Sequence, residues 1–503
     1  MPEFDNEMHP LLGIDLGTTF SAVARWNGTG AEPLTSYENK PTTQSAFYLE
    51  PATGNISIGD QAYKKGHFNP DNAKIGVKRE MDTGSKELRI GGRIFTPIQI
   101  SAEILKHLVD DQKRKVPGLL SRGTVVTVPY YFKENQIRNT KSAADLADIK
   151  CVSVLAEPIA AALLIVIREV MAHRSAMKDE TFLVFDLGGG TFDLTLGRFL
   201  QKGSTVRFSV LGTDGHERLG GMDFDQSFAE FCIKKSGLDT TRIDALDAKK
   251  KRCFEFDSLM VAREVKHSLT THESYEFLLC SQGSGLDVVT DVTRAEFETC
   301  IACYLEKISD VIDRLLTTTK KTSKDIDRVI LVGGSSLIPA VRNLVSAKVG
   351  PNKTWGNVNP LLCVAEGAAV YAAYLESPAA LGGITLDLEI RTAHAFGVEA
   401  IGNQFVTIIP ANTPLKAAKA ERIFNPSRDE LTSFVLRVFQ GPGGLTSDSR
   451  NDLIGQIRIE GLTKRPRLDT DIHVIFEVTS ENLLKVLVMA DGRKWEHAFK
   501  LEG

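Results

Sequence analysis

Two short runs in the chain place a carboxylate, a glycine turn and hydroxyl side chains in the same order. The first is Gly13-Ile14-Asp15-Leu16-Gly17-Thr18-Thr19; the second is Val184-Phe185-Asp186-Leu187-Gly188-Gly189-Gly190-Thr191. Glycine lets the backbone approach a ligand closely, so successive amide hydrogens can point at an anion, and the hydroxyls of Thr18 and Thr19 add donors. That is chemistry for phosphate. Asp15 and Asp186 cannot touch phosphate directly, because like charges repel. They suit outer ligands of a magnesium ion that bridges phosphate oxygens and keeps several waters. The Gly-Lys-Ser/Thr signature of the P-loop is absent. A duplicated fold with a cleft between its halves would bring both turns onto one ligand.

The elements that must position these turns alternate over the first 375 or so residues. Leu11 to Ile14, Val125 to Val128, Phe182 to Phe185 and Val329 to Val332 are short, β-branched or aromatic runs and read as buried strands. Ile98 to Gln112, Glu134 to Asp148, Pro158 to Met171 and Ala295 to Thr317 have helical length and pattern. Strands alternating with helices predict α/β layers. After Tyr374 the character changes. Pro378 to Gly383 reads as a hinge and Ile384 to Leu388 as a short apolar connector. Beyond it the apolar pattern has period two, with turns at Gln440 to Gly444 and at Asp491-Gly492, which predicts an all-β sandwich.

The chain has 503 residues, enough for two to four domains, and a net charge of −4 from 60 basic and 64 acidic side chains. No overall field marks a nucleic-acid or membrane binder. The acidic start at Met1 to Asp5 lacks the basic and apolar regions of a signal peptide, and Ala160 to Ile167 is far short of a bilayer span. Seven cysteines, an odd and sparse set, point to a reducing compartment and a cytoplasmic location. Cys300-Ile301-Ala302-Cys303 has no visible partners and reads as core packing.

The chain resembles the 70-kilodalton heat-shock chaperone family of the DnaK type. The motifs that carry the resemblance are the two glycine turns (the second running on as DLGGGTFD to Asp193), Thr127-Val128-Pro129 with Tyr131-Phe132, and Glu157-Pro158 with Ala160-Ala161-Ala162. Leu219-Gly220-Gly221 with Asp223-Phe224-Asp225, Val332-Gly333-Gly334-Ser335 with Ile338-Pro339, Asn412-Thr413 and Gln440-Gly441 continue it. The short, divergent HscC-like branch is the nearest in pattern, and the chain is read as a form without the helical lid that follows the sandwich in the family.

The resemblance implies an α/β, actin-like, two-lobed ATPase domain at 1–380, a linker at 381–393 and an all-β sandwich peptide-binding domain at 394–503. It implies that Gly17, Thr18, Thr19, Gly188, Gly189 and Gly190 hold the phosphates of ATP or ADP. Gly220, Gly221, Lys266, His267, Gly333, Gly334 and Ser335 would surround the rest of the nucleotide, and Asp15 and Asp186 would organise Mg2+. Lys78 would position the attacking water, Glu157 and Asp193 would polarise it or relay protons, and Thr191 would touch the γ-phosphate. Val398, Ile401, Phe424, Phe434 and Leu436 match or neighbour the family's peptide pocket, while Pro129 and Asp387 would couple the domains. The implied partners are extended segments of unfolded clients, a J-domain co-chaperone and a nucleotide-exchange factor.

Several residues depart from the family pattern. His267 and Leu337 stand where two arginines usually sandwich adenine, and Leu361-Leu362 replaces an acidic pair. Each lost stacking contact is worth about 0.5–2 kcal/mol, so the expected nucleotide site is loose. Ser153 and Ile137 occupy positions of arginines that serve linker docking and J-domain contact. These departures keep two other readings in view: a nucleotide-sensing adaptor without turnover, and a sugar kinase on the same actin-like lobes.

Overall fold

The computed structural model describes residues 6–172, 178–354, 358–389, 391–415, 418–448, 450–479 and 483–501. The first glycine turn belongs to a mixed sheet of β1 (Leu11–Asp15), β2 (Phe20–Trp26), β3 (Ala31–Leu34), β4 (Gly123–Val128) and β5 (Cys151–Ala156), in the order β5-β4-β1-β2-β3. Every residue of β4 is buried, as expected of a β-branched parallel strand covered on both faces. The second turn belongs to the sheet of β6 (Lys178–Leu187), β7 (Phe192–Lys202), β8 (Thr205–His216) and β9 (Arg328–Val332). In both sheets the strand before the turn pairs antiparallel with the strand after it and parallel with a later one. The echo in sequence is thus an echo in wiring.

Three of the four helical readings hold as single helices: α1 (Pro97–Lys115), α2 (Glu134–Leu146) and α3 (Glu157–Ala172). Helix α1 starts on a capping box, with Thr96 Oγ1 accepting from the Gln99 amide and Gln99 Oε1 from the Thr96 amide. The fourth reading breaks at Ile301 into Arg294–Cys300 and Ala302–Thr318. Two further helices, α4 (Gly221–Lys235) and α5 (Ala248–Leu269), wall the second lobe, and α6 (Cys363–Glu376) crosses α3 between the lobes. A Cβ at Gly367 would drive into the Ala160 carbonyl, so the crossing is as close as backbone permits. The run Ala160 to Ile167 is buried here, within one core that also takes Val125 from the first sheet and Phe182 and Val184 from the second. No helix among the described residues is long and apolar enough to cross a membrane.

The connector does not run free. As β10 (Thr385–Glu389) it adds a parallel edge strand to β8, and Asp387 pairs with Arg207 at 2.8 Å. Beyond it lie two packed antiparallel sheets. One is made of β11 (Ala395–Ala400), β12 (Gln404–Ile409), β14 (Ser433–Gly441), β15 (Gly444–Leu445) and β16 (Asp452–Glu460). The other takes β13 (Lys419–Phe424), β17 (Ile472–Val478), β18 (Leu483–Ala490) and β19 (Arg493–Lys500). Asp491-Gly492 turns β18 into β19 with positive φ at both residues, as the hairpin signal predicts.

This β module docks on the lobes through polar contacts. Tyr130 Oη donates to the Arg391 carbonyl at 2.7 Å, and His394 Nε2 to the Tyr131 carbonyl at 2.7 Å. The Glu134 amide donates to Gln440 Oε1 at 3.0 Å, and Lys133 pairs with Asp452 at 3.3 Å.

Candidate functional site

The turn Gly17–Thr19 is held from behind. Ser45 Oγ donates to the Gly17 carbonyl at 2.7 Å, and the Gly17 amide donates to Ser21 Oγ at 3.2 Å. Thr19 Oγ1 is buried without a hydrogen-bond partner, a donor left for a ligand.

Across the cleft, the carbonyls of the second turn are also taken from behind. Gly188 O accepts from the Gly221 amide and from Ser335 Oγ, each at 3.0 Å, and Gly189 O accepts from the Met222 amide at 2.9 Å. Gly190 O accepts from Arg79 Nη2 at 2.8 Å and Nε at 3.1 Å, while the same guanidinium pairs with Asp223 at 2.6 Å. The amides of Gly189 and Gly190 make no hydrogen bond among the described residues. A Cβ on Gly190 would stand 2.6 Å from Thr18 Oγ1, so the two turns meet with room only for glycine. The result is a concave face of free amide and hydroxyl donors, the geometry that receives phosphate.

One ammonium sits among four carboxylates, three of which line the floor of the cleft. Lys78, in the short helical turn Val77–Thr83, is buried and bonded to Glu157, the first residue of α3. Glu157, Asp186 and Asp193 are buried, and Asp15 is partly open to the cleft. Burial, then repulsion from Glu157, pushes Asp15 and Asp193 each up to about 7. The same causes, with Asp193 and Asp15 added, hold Asp186 well above the usual carboxylate range. Burial works against the Lys78 ammonium, but Glu157 and Asp15 outweigh it and keep the group above its ordinary value. So much negative charge in a dry space is the chemistry of a divalent-cation site. Among the described residues no three His, Cys, Asp or Glu stand close enough to chelate a metal. The donor set therefore fits an ion held through its own waters.

The cleft is about 900 Å³ and extends past the phosphate turns to Lys266, His267, Ile338 and Leu361. Lys266 Nζ donates to the Gly221 carbonyl at 2.9 Å and pairs with Asp225 at 2.6 Å. Asp225 also faces Arg263 at 3.4 Å. His267 is exposed at the cleft, yet the desolvation of its surroundings, then Lys266, pushes its imidazole down to about 4, so it is neutral near pH 7.

The structure gathers the expected residues unevenly. Gly17, Thr18, Thr19, Gly188, Gly189, Thr191 and Gly221 line the cleft, as do Lys266, His267, Gly333, Gly334 and Ser335. Gly190 and Gly220 are not among the lining residues: Gly190 packs against Thr18 and Arg79, and Gly220 against the backbone of Gly189 and Gly190. Leu337, expected beside adenine, is not among the residues lining the cleft; its neighbour Ile338 lines it, with Leu361. Asp193 lies off the cleft and faces a second cavity, which Pro129 also lines. The five expected pocket residues of the β module do not form one surface. Val398 and Leu436 are buried in the sandwich core, Phe424 and Phe434 pack partly against it, and Ile401 is 70 % exposed.

Arg79, Arg263 and Asp225 were not anticipated. Their signals were present: Arg79 follows Lys78 directly, and Asp225 closes the Asp223-Phe224-Asp225 motif.

Comparison with known proteins bears on this site. Residues 11–87 and 80–502 match the family described as "Hsp70 protein". The chain is 33% identical to the stromal 70 kDa heat shock-related protein, chloroplastic, of Pisum sativum, over 96% of this chain and 69% of that protein. It is 32% identical to the chaperone protein dnaK of Cyanophora paradoxa, over 99% of this chain and 80% of the relative. With the chaperone protein DnaK of Thermotoga petrophila it shares 33% identity, over 98% and 80% of the two chains.

Proposed function

The chain belongs to the Hsp70 family, and on that premise we propose which of its residues carry the family's work. It is an ATP-dependent chaperone: it binds ATP and ADP, hydrolyses ATP and binds client polypeptide. The adaptor and sugar-kinase readings give way to this one.

In our assignment, residues 1–380 form the nucleotide-binding unit, 381–393 the connection and 394–503 the client-binding unit. The amides and hydroxyls of the two glycine turns take the β- and γ-phosphates, and the nucleoside lies toward Lys266, His267 and Leu361. Asp15 and Asp186 are placed to hold a hydrated magnesium ion, which when bound neutralises charge on the phosphate oxygens. Lys78 orients the attacking water, Glu157 fixes the Lys78 ammonium and Thr191 donates to the γ-phosphate. Arg79 is a positioning residue: it holds the Gly190 carbonyl away from the cleft, so that the amide face stays turned toward the ligand. Phosphoryl transfer needs placement and charge neutralisation more than covalent chemistry, and this floor supplies both. The observation that carries the assignment is the pair of opposed turns with unused donors above one buried ammonium among carboxylates.

Clients bind as extended apolar segments along the β module, with Ile401 at the accessible edge. Pro129 and Asp387 link the two units, and a J-domain protein and an exchange factor complete the cycle. Seven free cysteines suit a reducing compartment such as the cytoplasm.

The test is the dissociation rate of a labelled apolar peptide with ADP and then with ATP-magnesium. We expect ATP to speed release about tenfold or more, roughly 1.4 kcal/mol of coupling. Equal rates would refute coupling, and failure to bind any peptide would refute the client assignment.

A further inference from the structure

A second cavity, about 1910 Å³ measured to its open mouth, lies between the lobes and the docked β module. It is the larger of the two spaces, and Thr18, Lys78 and Thr191 line both. These three residues stand where the terminal phosphate is assigned, so the two spaces adjoin at that point. The nucleoside end lies on the far side of the cleft, at Lys266 and Leu361. A diphosphate still in place would therefore stand between the cleaved phosphate and the nucleotide mouth, but not between it and the second cavity.

The walls suit an anion in passage. Arg79 and Lys133 line the interior, each already paired, to Asp223 and Asp452. Arg218 and Arg450 are exposed at the rim, as are the acidic Asp82 and Glu217; Arg450 pairs with Asp448 at 2.7 Å, whereas Arg218 has no ion pair among the described residues. Basic groups at a mouth draw a multivalent anion outward. Asp193 opposes residence. It is 1 % exposed, and neither carboxylate oxygen has a well-formed hydrogen bond, although the Thr191 hydroxyl and Tyr131 amide lie near. A buried acidic side chain beside the entrance offers an anion no positive partner to stay with.

We propose that this cavity is the exit for the orthophosphate product, and that the β module governs the exit because Ala393 to Ala395, Ala411, Gly441, Pro442 and Arg450 form its outer wall. The inference rests on the ATPase assignment above.

The test is a single turnover of the full chain with ATP-magnesium. Acid quench reports cleavage, a fluorescent phosphate-binding sensor reports phosphate release, and labelled ADP reports nucleotide release. Two variants act at the rim, away from the reacting groups: Arg218→Glu reverses an exposed charge, and Pro442→Trp narrows the opening. Cleavage and ADP release are expected to stay at wild-type rates, while phosphate release slows by roughly threefold or more. Phosphate release unchanged in both folded variants overturns the proposal, as does wild-type phosphate that emerges only with ADP. A wild-type chain that cleaves no ATP overturns the ATPase assignment itself, and the quench data separate that outcome from the others.

Discussion

Replacing Lys78 with methionine keeps its bulk and removes the cation bonded to Glu157 at the floor of the cleft. The side chains of Lys78 and Glu157 are 7% and 10% exposed, which puts the pair in the buried regime rather than the screened one. At an effective dielectric of about 20, two unit charges 4 Å apart interact by about 4 kcal/mol. Breaking a buried pair by taking one partner costs a similar 3–5 kcal/mol or so, because the other charge is stranded. Here the stranded groups include Asp15 and Asp186, whose carboxyls already feel Glu157 and are steadied by Lys78. Lys78→Met should therefore lower the urea midpoint by an amount equal to about 3–5 kcal/mol, while Lys78→Met with Glu157→Gln should recover most of it. Catalysis should behave differently. The ammonium is assigned to the attacking water, so single-turnover hydrolysis should fall roughly 10²–10³-fold in the single variant and stay down in the double. A double variant that regains turnover together with stability would refute the catalytic role and leave Lys78 a structural cation. Turnover within about tenfold of wild type in the single variant would do the same.

Four other substitutions test separate parts of the reasoning. Asp193 has a folded pKa raised to about 7, so its contribution to stability is present below the unfolded value of 3.8 and is lost as pH rises through 7. Between pH 6 and pH 8 this group alone should cost about 1 kcal/mol, read from urea midpoints of the ligand-free protein, and Asp193→Asn should flatten that slope. An unchanged slope in the variant would show that Asp193 is not the titrating group. His267→Arg places a guanidinium on the nucleoside wall and should tighten ATP by up to about tenfold in calorimetry; unchanged affinity would remove His267 from that wall. Ile401→Asp, on an exposed edge, should leave stability within about 0.5 kcal/mol yet weaken an apolar peptide about tenfold in fluorescence anisotropy. Val398→Asp, in contrast, buries a charge in the sandwich core and should unfold the β module. Peptide binding by Ile401→Asp at wild-type strength would exclude that edge from the client site.

Much of this arrangement is legible in the residues, because the signals are local. A strand, an aspartate and a glycine turn fix one another within eight residues, and the period of two marks each strand of the sandwich. What is not legible depends on the third dimension. Period two says that Val398 and Ile401 differ in environment, but not which of them faces the second sheet. Leu337 and Ile338 are neighbours, yet only Ile338 lines the cleft, a choice of side-chain direction that the sequence does not show. Lys78 and Arg79 are adjacent, yet in a three-residue turn successive side chains diverge by about 120°. One therefore meets Glu157 and the other the Gly190 carbonyl. The register puts Asp186 opposite Asp193, but only the packed lobes reveal that Asp186 lines the cleft and Asp193 the adjoining cavity.

The helix Glu157–Ala172 has a consequence for how the protein is made. It is apolar on nearly every side and is covered only when strands of both sheets and the crossing helix Cys363–Glu376 are in place. Neither lobe can bury it alone. On the ribosome, some 200 residues must follow Ile167 before that last helix is complete. At 5–20 residues per second, this leaves a run of eight apolar residues uncovered for about 10–40 s. During that interval the emerging chain carries the kind of exposed apolar segment that chaperones hold. A protein that shelters unfinished chains is thus, at its own birth, one that needs shelter.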